Sequence, residues 1–252
     1  MTTPPTLALD KSLSLLSMLV ADGGQHSVSA LAEQAALPTA TAHRIVATFE
    51  RRGFLTRVAR GRYLPGPALL RLANTVDLNK LLEAAGRPIV RALAKQTGLT
   101  AHLGVFEGDM VTYLIKAGRG GESLFTREGM QLEAYCSGIG KMLLACLPEH
   151  DRHRYLEGGP FVALTPNTIT DAAALRNELT RARAQGFARD ECEIDADLRC
   201  VATAVRDGKA AAVAALSLSA RQERGVADPA EHLDALRAAA RALELRLFPQ
   251  SR

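Results

Sequence analysis

The forty residues from Ser27 to Gly66, SVSALAEQAALPTATAHRIVATFERRGFLTRVARGRYLPG, constrain this chain more than any other stretch. They carry two short helical patterns around a tight break, followed by an alternating basic hairpin. Ser27 and Ser29 are both suited to cap a first helix running to about Ala36, with Val28, Leu31, Ala32 and Ala35 as its apolar stripe. Leu37-Pro38 ends it, because proline disfavours helical geometry in the residue before it. Thr39 is expected to cap a second helix, in which Ala42, Ile45, Val46 and Phe49 face inward. Thr41, His43, Arg44, Glu50, Arg51 and Arg52 are left outside, and Gly53 closes the helix in a left-handed turn. Leu55–Val58 and Arg62–Leu64 alternate as strands, with Ala59-Arg60-Gly61 as their turn. Leu7, Leu9, Leu13, Leu15, Leu16, Leu19 and Val20 supply a preceding helix that covers the pair.

A helix pair of this kind, braced by a hairpin, can place its second helix in the DNA major groove. Charge points the same way. Between Ala42 and Arg71 there are seven arginines and one acid, Glu50, although the whole chain carries a net charge of only +4. Arginine concentrated on one small module is an electrostatic footprint for phosphates.

The pattern PTATAHRIVATFERRGFL, followed by the run Arg62-Tyr63-Leu64-Pro65-Gly66-Pro67, resembles the winged helix-turn-helix of the IclR family of bacterial transcription regulators. The resemblance extends over nearly the entire chain. It implies a winged helix-turn-helix over residues 1–66, a linker helix over 67–79 that contributes to dimer contacts, and a GAF-like effector-binding and oligomerisation domain over 80–252. A length of 252 residues suits two domains that each bury a core. Pro65, Gly66 and Pro67 punctuate the boundary.

Beyond the boundary, helical spacing continues through Leu81, Leu82, Ile89, Val90 and Leu93, with Pro88 implying a kink or a fresh start. Strands are expected at Thr100–Phe106 and Met110–Ala117 around a Glu107-Gly108-Asp109 turn. Helices are expected at Ser137–Leu147, Ala172–Gln185 and Asp228–Phe248. Two apolar strands are expected at Cys200–Val205 and Ala211–Ser219. This mixed order argues an α+β layer with an antiparallel sheet flanked by helices.

The N-terminus lacks the basic and apolar regions of a signal peptide, and no run of about 18 apolar residues exists to span a membrane. The four cysteines show no pairing pattern and read as reduced thiols of a cytoplasmic protein.

No reactive constellation emerges, so the chain reads as a non-enzyme without cofactor or metal. Ser137-Gly138-Ile139-Gly140-Lys141 fails as a phosphate loop, because Tyr135 and Met142 stand where glycine and a magnesium-binding hydroxyl are needed. His150 and His153 read as part of a solvated polar loop rather than a metal site. The acidic run Asp190–Asp197 lacks the mid-loop glycine and the closing glutamate of a calcium loop. No nucleophile elbow marks a hydrolase.

A ligand pocket is what the resemblance implies instead. Leu132, Gly138, Ile139, Asp190, Leu198, Cys200, Ser217 and Ser219 match positions where IclR-like regulators hold an effector. Helix-start amides at Gly138 and Ile139 suit an anion. Ser217 and Ser219 alternate with Leu218, so both hydroxyls share one face of a strand. Together they suit a small organic acid. This chain departs from the family at Glu133 and Tyr135, where proline and histidine are common. The Tyr135 ring, placed at the cavity mouth, favours a larger or aromatic acid. It also departs at Cys192, where an acid is common, and at Asp197, where glycine is common.

The expected protein is a homodimer, or a dimer of dimers, on a near-palindromic operator. Thr39, Thr41, His43 and Arg44 lie nearest the bases, while Arg57, Arg60 and Arg62 on the wing contact phosphates or the minor groove. Two alternatives stand beside it. One is a hydrolase-like enzyme with an accessory N-terminal partner-binding domain, and the other is an architectural DNA binder that takes no ligand.

Overall fold

The computed structural model describes residues 6–118, 124–222 and 227–249. The chain divides into two compact units, Met1–Asp77 and Leu78–Arg252.

The first unit contains α1 (Leu7–Asp22), α2 (Val28–Gln34), α3 (Thr39–Arg51), the hairpin β1 (Leu55–Ala59) and β2 (Arg62–Pro65), and α4 (Pro67–Ala73). Its core joins Leu15 and Leu19 of α1 to Val28 and Leu31 of α2, Ala42 and Val46 of α3, and Leu55 and Tyr63 of the hairpin. Ser27 caps α2 by accepting from the Ala30 amide at 3.3 Å. The break after α2 is a Schellman turn. Leu37 N donates to Ala32 O and Ala36 N to Glu33 O, with Ala36 at a φ of 49°. The expected cap of α3 is corrected: Pro38 occupies the cap position without a side-chain bond, and Thr39 is the first helical residue. Proline pre-sets the backbone there, and its missing N–H costs nothing outside the helix. The second Schellman turn ends α3. Gly53 adopts a φ of 74°, and Phe54 N donates to Phe49 O. The rings of Phe49 and Phe54 meet edge to face at 6.1 Å, the apolar contact that accompanies such a turn.

The second unit opens with α5 (Leu78–Thr97). It runs through Pro88 as one helix, so no fresh start occurs there. There follow β3 (Thr100–Glu107), β4 (Met110–Ala117), β5 (Gln131–Glu133), α6 (Gly138–Cys146), α7 (Glu149–Glu157), α8 (Ala172–Gln185), β6 (Ala188–Glu191), β7 (Leu198–Arg206), β8 (Ala212–Arg221), a 3-10 turn (Pro229–His232) and α9 (Leu233–Leu247). The six strands form one antiparallel sheet in the order β5-β4-β3-β8-β7-β6.

Strand alternation divides the core between the two faces of the sheet. Ala101, Leu103 and Val105 of β3 with Leu216 and Leu218 of β8 meet α5 and α9 on one face. Ala202 and Ala204 of β7 with Ala215 of β8 meet α6 and α8 on the other.

Two expectations are corrected here. The stretch holding His150 and His153 is a helix, α7, held down by Tyr155 and Leu156, and both histidines face outward. The last helix begins at Leu233 rather than at Asp228, after a 3-10 turn that the Asp228 side chain caps by accepting from the Ala230 amide at 2.9 Å. The left-handed residue of the 190–197 loop is Cys192, at a φ of 62°, rather than Asp197.

Candidate DNA interface and ligand site

On α3 the buried positions are Ala42 and Val46, with Ile45 and Phe49 half-buried. The opposite face therefore runs through Ala40, Arg44, Ala47 and Arg51, at spacings of four, three and four. His43 lies on the flank toward α2, with Nε2 3.5 Å from Ser29 Oγ. Thr41 lies on the α1 flank, where it lines a cleft of about 570 Å³ with Lys11, Arg44 and Ile45. Thr39, Thr41, His43 and Arg44 are all exposed. The outer ridge also includes Arg51, and Ala40 and Ala47, which pattern reading left out because alanine carries no charge signal. Small residues there let the helix approach a groove closely, and a methyl group can meet thymine.

The wing is tied to the helix pair by backbone. Val28 N donates to Gly61 O at 2.9 Å, which fixes the turn that carries Arg60. The Tyr63 hydroxyl donates to Glu50 Oε2 at 3.3 Å, and the Arg57 guanidinium lies 5.8 Å from the Tyr63 ring centre. Among the described residues, Arg44, Arg51, Arg57, Arg60 and Arg62 form no ion pair. Their charge is available to phosphates. This unit carries eight Lys and Arg against five Asp and Glu, whereas the whole chain carries 31 against 27.

In the second unit the sheet face under α6 and α8 holds two cross-strand rows. Asp190, Cys200, Ser219 and Thr100 are successive register partners, and so are Ala188, Ala202, Ser217, His102 and Lys116. Antiparallel partners point to the same side, so Asp190, Cys200, Ser217 and Ser219 come together as expected from the sequence. Leu198 is buried two residues before Cys200 on the same face of β7. The start of α6 sits over this patch. A Cβ on Gly138 would lie 3.4 Å from Cys200 Cβ and 3.5 Å from Ala202 Cβ. Ser137 caps the helix by accepting from the Gly140 amide at 3.1 Å. The amides of Gly138 and Ile139 are then the open ones of the first turn.

Burial sets the chemistry of the patch. Asp190 is 1% exposed, its Oδ1 accepts from Glu193 N at 2.7 Å, and Oδ2 has no partner among the described residues. Desolvation, reinforced by the neighbouring Glu193 charge, pushes its carboxyl up to about 7. Burial and the nearby Asp190 push the Cys200 thiol well up, so it is a neutral group that accepts from Ser219 Oγ at 3.1 Å.

Two expected residues lie elsewhere. Leu132 is half-buried on the edge strand β5, opposite Val111. The Tyr135 hydroxyl donates to Val162 O at 2.8 Å, and its ring packs on Phe161 at 5.0 Å. Its polar tip is thus already occupied.

Among the described residues of the unit, Lys141 is the largest fully buried side chain. Its Nζ donates to Glu193, and it also reaches Glu178 Oε1 at 3.5 Å. An ammonium held by two carboxylates is unavailable to a phosphate. The acidic run is likewise built around this cation, with the Thr165 and Thr168 hydroxyls donating to the Cys192 and Glu193 carbonyls, each at 2.6 Å.

Sequence reading missed His102, Tyr113 and Thr126. Their signal was present in part. Thr100, His102 and Gly104 alternate with Ala101, Leu103 and Val105, so the histidine belongs to the same face as the paired serines.

Among the described residues no helix is long and apolar enough to cross a membrane. The model of the IclR helix-turn-helix domain matches residues 8–59, and that of the bacterial transcriptional regulator IclR C-terminal domain matches residues 74–245. The HTH-type transcriptional regulator XynR of Escherichia coli is 28% identical over 223 residues, covering 88% of each chain. The IclR structure of Thermotoga maritima is 28% identical, with a TM-score of 0.60, over 95% of this chain and 98% of that one. An IclR homologue of Microbacterium hydrocarbonoxydans, solved with 4-hydroxybenzoate, is 27% identical, with a TM-score of 0.62, over 95% and 98%. These relatives are regulators rather than enzymes, and the chain belongs to the IclR family of DNA-binding transcriptional regulators.

Proposed function

We propose that this regulator binds a near-palindromic operator as a dimer and that a small organic acid, lodged between the start of α6 and the sheet, tunes that binding. The observation that carries the ligand reading is the patch beneath Gly138. The open helix-start amides lie against Cys200 and Ala202, whose register partners on the same face include two serines and a buried carboxyl that has one oxygen without a partner. A buried polar atom left without a partner costs about 1–3 kcal/mol, which a ligand hydrogen bond recovers. The precedent of a homologue solved with 4-hydroxybenzoate supports an acid as the ligand.

On the DNA side, Arg44 and Arg51 on the outer ridge of α3 and His43 on its flank read base edges, with Thr39 and Thr41 at the helix start. Arg57, Arg60 and Arg62 hold the backbone. The dimer reading rests on exposed apolar residues. Leu7, Leu9 and Leu13 on α1, and Leu70 and Leu72 on α4, are each more than half exposed. Such patches mark contacts with another chain.

The test is an operator gel shift across a salt series, with and without candidate acids. Arg60→Ala is expected to weaken binding to matched and scrambled duplex alike and to flatten the salt slope. His43→Ala is expected to change the preference between the two duplexes. Ser217→Ala is expected to blunt the response to the acid and leave ligand-free binding intact. A wild-type shift that is the same on operator and scrambled DNA, with every acid tried, would overturn the proposal.

A further inference from the structure

The ligand-side patch has a second polar pole. His102 lies on β3, is 2% exposed, and is a register partner of Ser217 on the face under α6 and α8. Its ring is held from two sides. Nε2 is 2.9 Å from Thr126 Oγ1, and the Tyr113 ring meets it edge to face at 4.9 Å. The other nitrogen, Nδ1, is buried and has no hydrogen-bond partner among the described residues. Lys116, the register partner on the other side, turns its Nζ to the carbonyls of Leu124 and Thr126 at 2.7 and 2.5 Å and leaves the imidazole alone.

Desolvation, helped by the Lys116 charge, pushes the imidazole down to about 3, so the ring is neutral near pH 7. A neutral ring has one donor and one acceptor nitrogen, and the Thr126 hydroxyl can serve either. Nδ1 is a buried donor when Thr126 donates to Nε2 and a buried acceptor when Thr126 accepts from it. Left unpaired it is costly in both forms; a ligand hydroxyl partners it in either, and a ligand carbonyl in the first.

We propose that His102, positioned by Thr126 and Tyr113, recognises a second oxygen function, a carbonyl or hydroxyl, on an organic acid whose carboxylate sits at the start of α6. This inference rests on the reading of the face beneath α6 as an acid site, and it adds that the effector is a bifunctional acid rather than a plain monocarboxylate. A ligand lacking the second oxygen leaves Nδ1 unpaired and buried.

The test is calorimetry on the full chain with two matched pairs of probes, pyruvate against propionate and 4-hydroxybenzoate against benzoate. The pairs differ in the distance between the carboxylate and the second oxygen. In the wild type, at least one oxygen-bearing acid is expected to bind about tenfold or more tighter than its counterpart, the ratio set by one buried unmade hydrogen bond. His102→Phe is expected to bring that ratio near one while the affinity for the counterpart stays within about threefold. Thr126→Val, which keeps the imidazole but frees Nε2, is expected to reduce the same ratio and serves where the first variant does not fold. A ratio unchanged in both variants, or absent from the wild type while acids still bind, overturns the role of His102 and leaves the acid site standing. Failure of all four acids to bind the wild type overturns both.

Discussion

The hydroxyl of Tyr63, at the end of the wing, donates to the carboxylate of Glu50, near the end of the recognition helix, at 3.3 Å. The bond joins two elements that must keep a fixed angle to engage one DNA duplex. It also explains why the one acid in an arginine-rich segment is tolerated: Glu50 is turned to the wing rather than to the outer face. Tyr63→Phe is expected to lower the stability of the N-terminal unit by about 1 kcal/mol, the worth of one partly buried hydrogen bond. Scanning calorimetry of the full chain and operator affinity would both register it. An unchanged melting profile together with unchanged affinity would remove the tie from the account.

The turn between α2 and α3 stores strain at Ala36, whose φ is 49°. A left-handed backbone costs a non-glycine residue about 1–2 kcal/mol. Ala36→Gly removes that cost and gives back about 0.5–1 kcal/mol through the looser unfolded chain, so a small net gain in stability is expected. Ala36→Val is expected to lose stability, because a β-branched residue resists positive φ. Denaturant midpoints of the two variants should therefore straddle the wild type. The reverse order would mean that the turn is not left-handed there.

Lys141 is enclosed with Glu178 and Glu193. Removing the cation alone strands a carboxylate in the interior. Lys141→Met is expected to cost about 3–5 kcal/mol, since an uncompensated buried charge is far worse than an apolar replacement of the whole pair. Glu178 keeps Arg181 as a second partner, so Glu193 bears most of the loss. The double variant Lys141→Met with Glu193→Gln is expected to recover much of it. Additive effects in a double-mutant cycle would show that the two groups do not act as a pair.

These contacts show where sequence reading reached and where it stopped. The helix pair and its hairpin were legible because their signals are local: Ser27 as a cap, Gly53 after α3, alternation across Leu55 to Leu64. The order of the six strands was not, since pairing of β3 with β8 joins residues more than a hundred positions apart and leaves no short-range pattern. The helix α7 was hidden because its polar run EHDRH offers only Tyr155 and Leu156 to the core. Lys141 entered the sequence reading only as the lysine of a failed phosphate loop, because its two carboxylates come from α8 and from the loop after β6. In the ligand patch the paired serines were visible by alternation. His102 carries the same alternation, but its importance rests on an unpaired nitrogen, which only three-dimensional accounting reveals.

Asp190 gives the chain a pH signature. Its carboxyl is raised from 3.8 to about 7 in the folded protein, so the folded state keeps a proton that the unfolded chain has released. Stability is then greatest below the unfolded value and is lost as pH rises through the folded one. Glu193 is shifted in the same direction, also by burial, but Lys141 stands beside it as a counter-charge. Asp22, Glu128 and Asp228 are shifted down, so their contributions have the opposite sign and are lost only as pH falls below their ordinary range. His102, lowered from 6.5 to about 3, has that opposite sign as well and offsets Asp190 below about pH 6.5, so the wild-type denaturant midpoint is expected to stay nearly level from about pH 5 to about pH 6.5 and to fall from there to about pH 8. Asp190→Asn has the same shape and no charge to release, which leaves the His102 contribution, so its midpoint should rise over the same interval. Equal slopes for the two proteins would place the titrating group elsewhere.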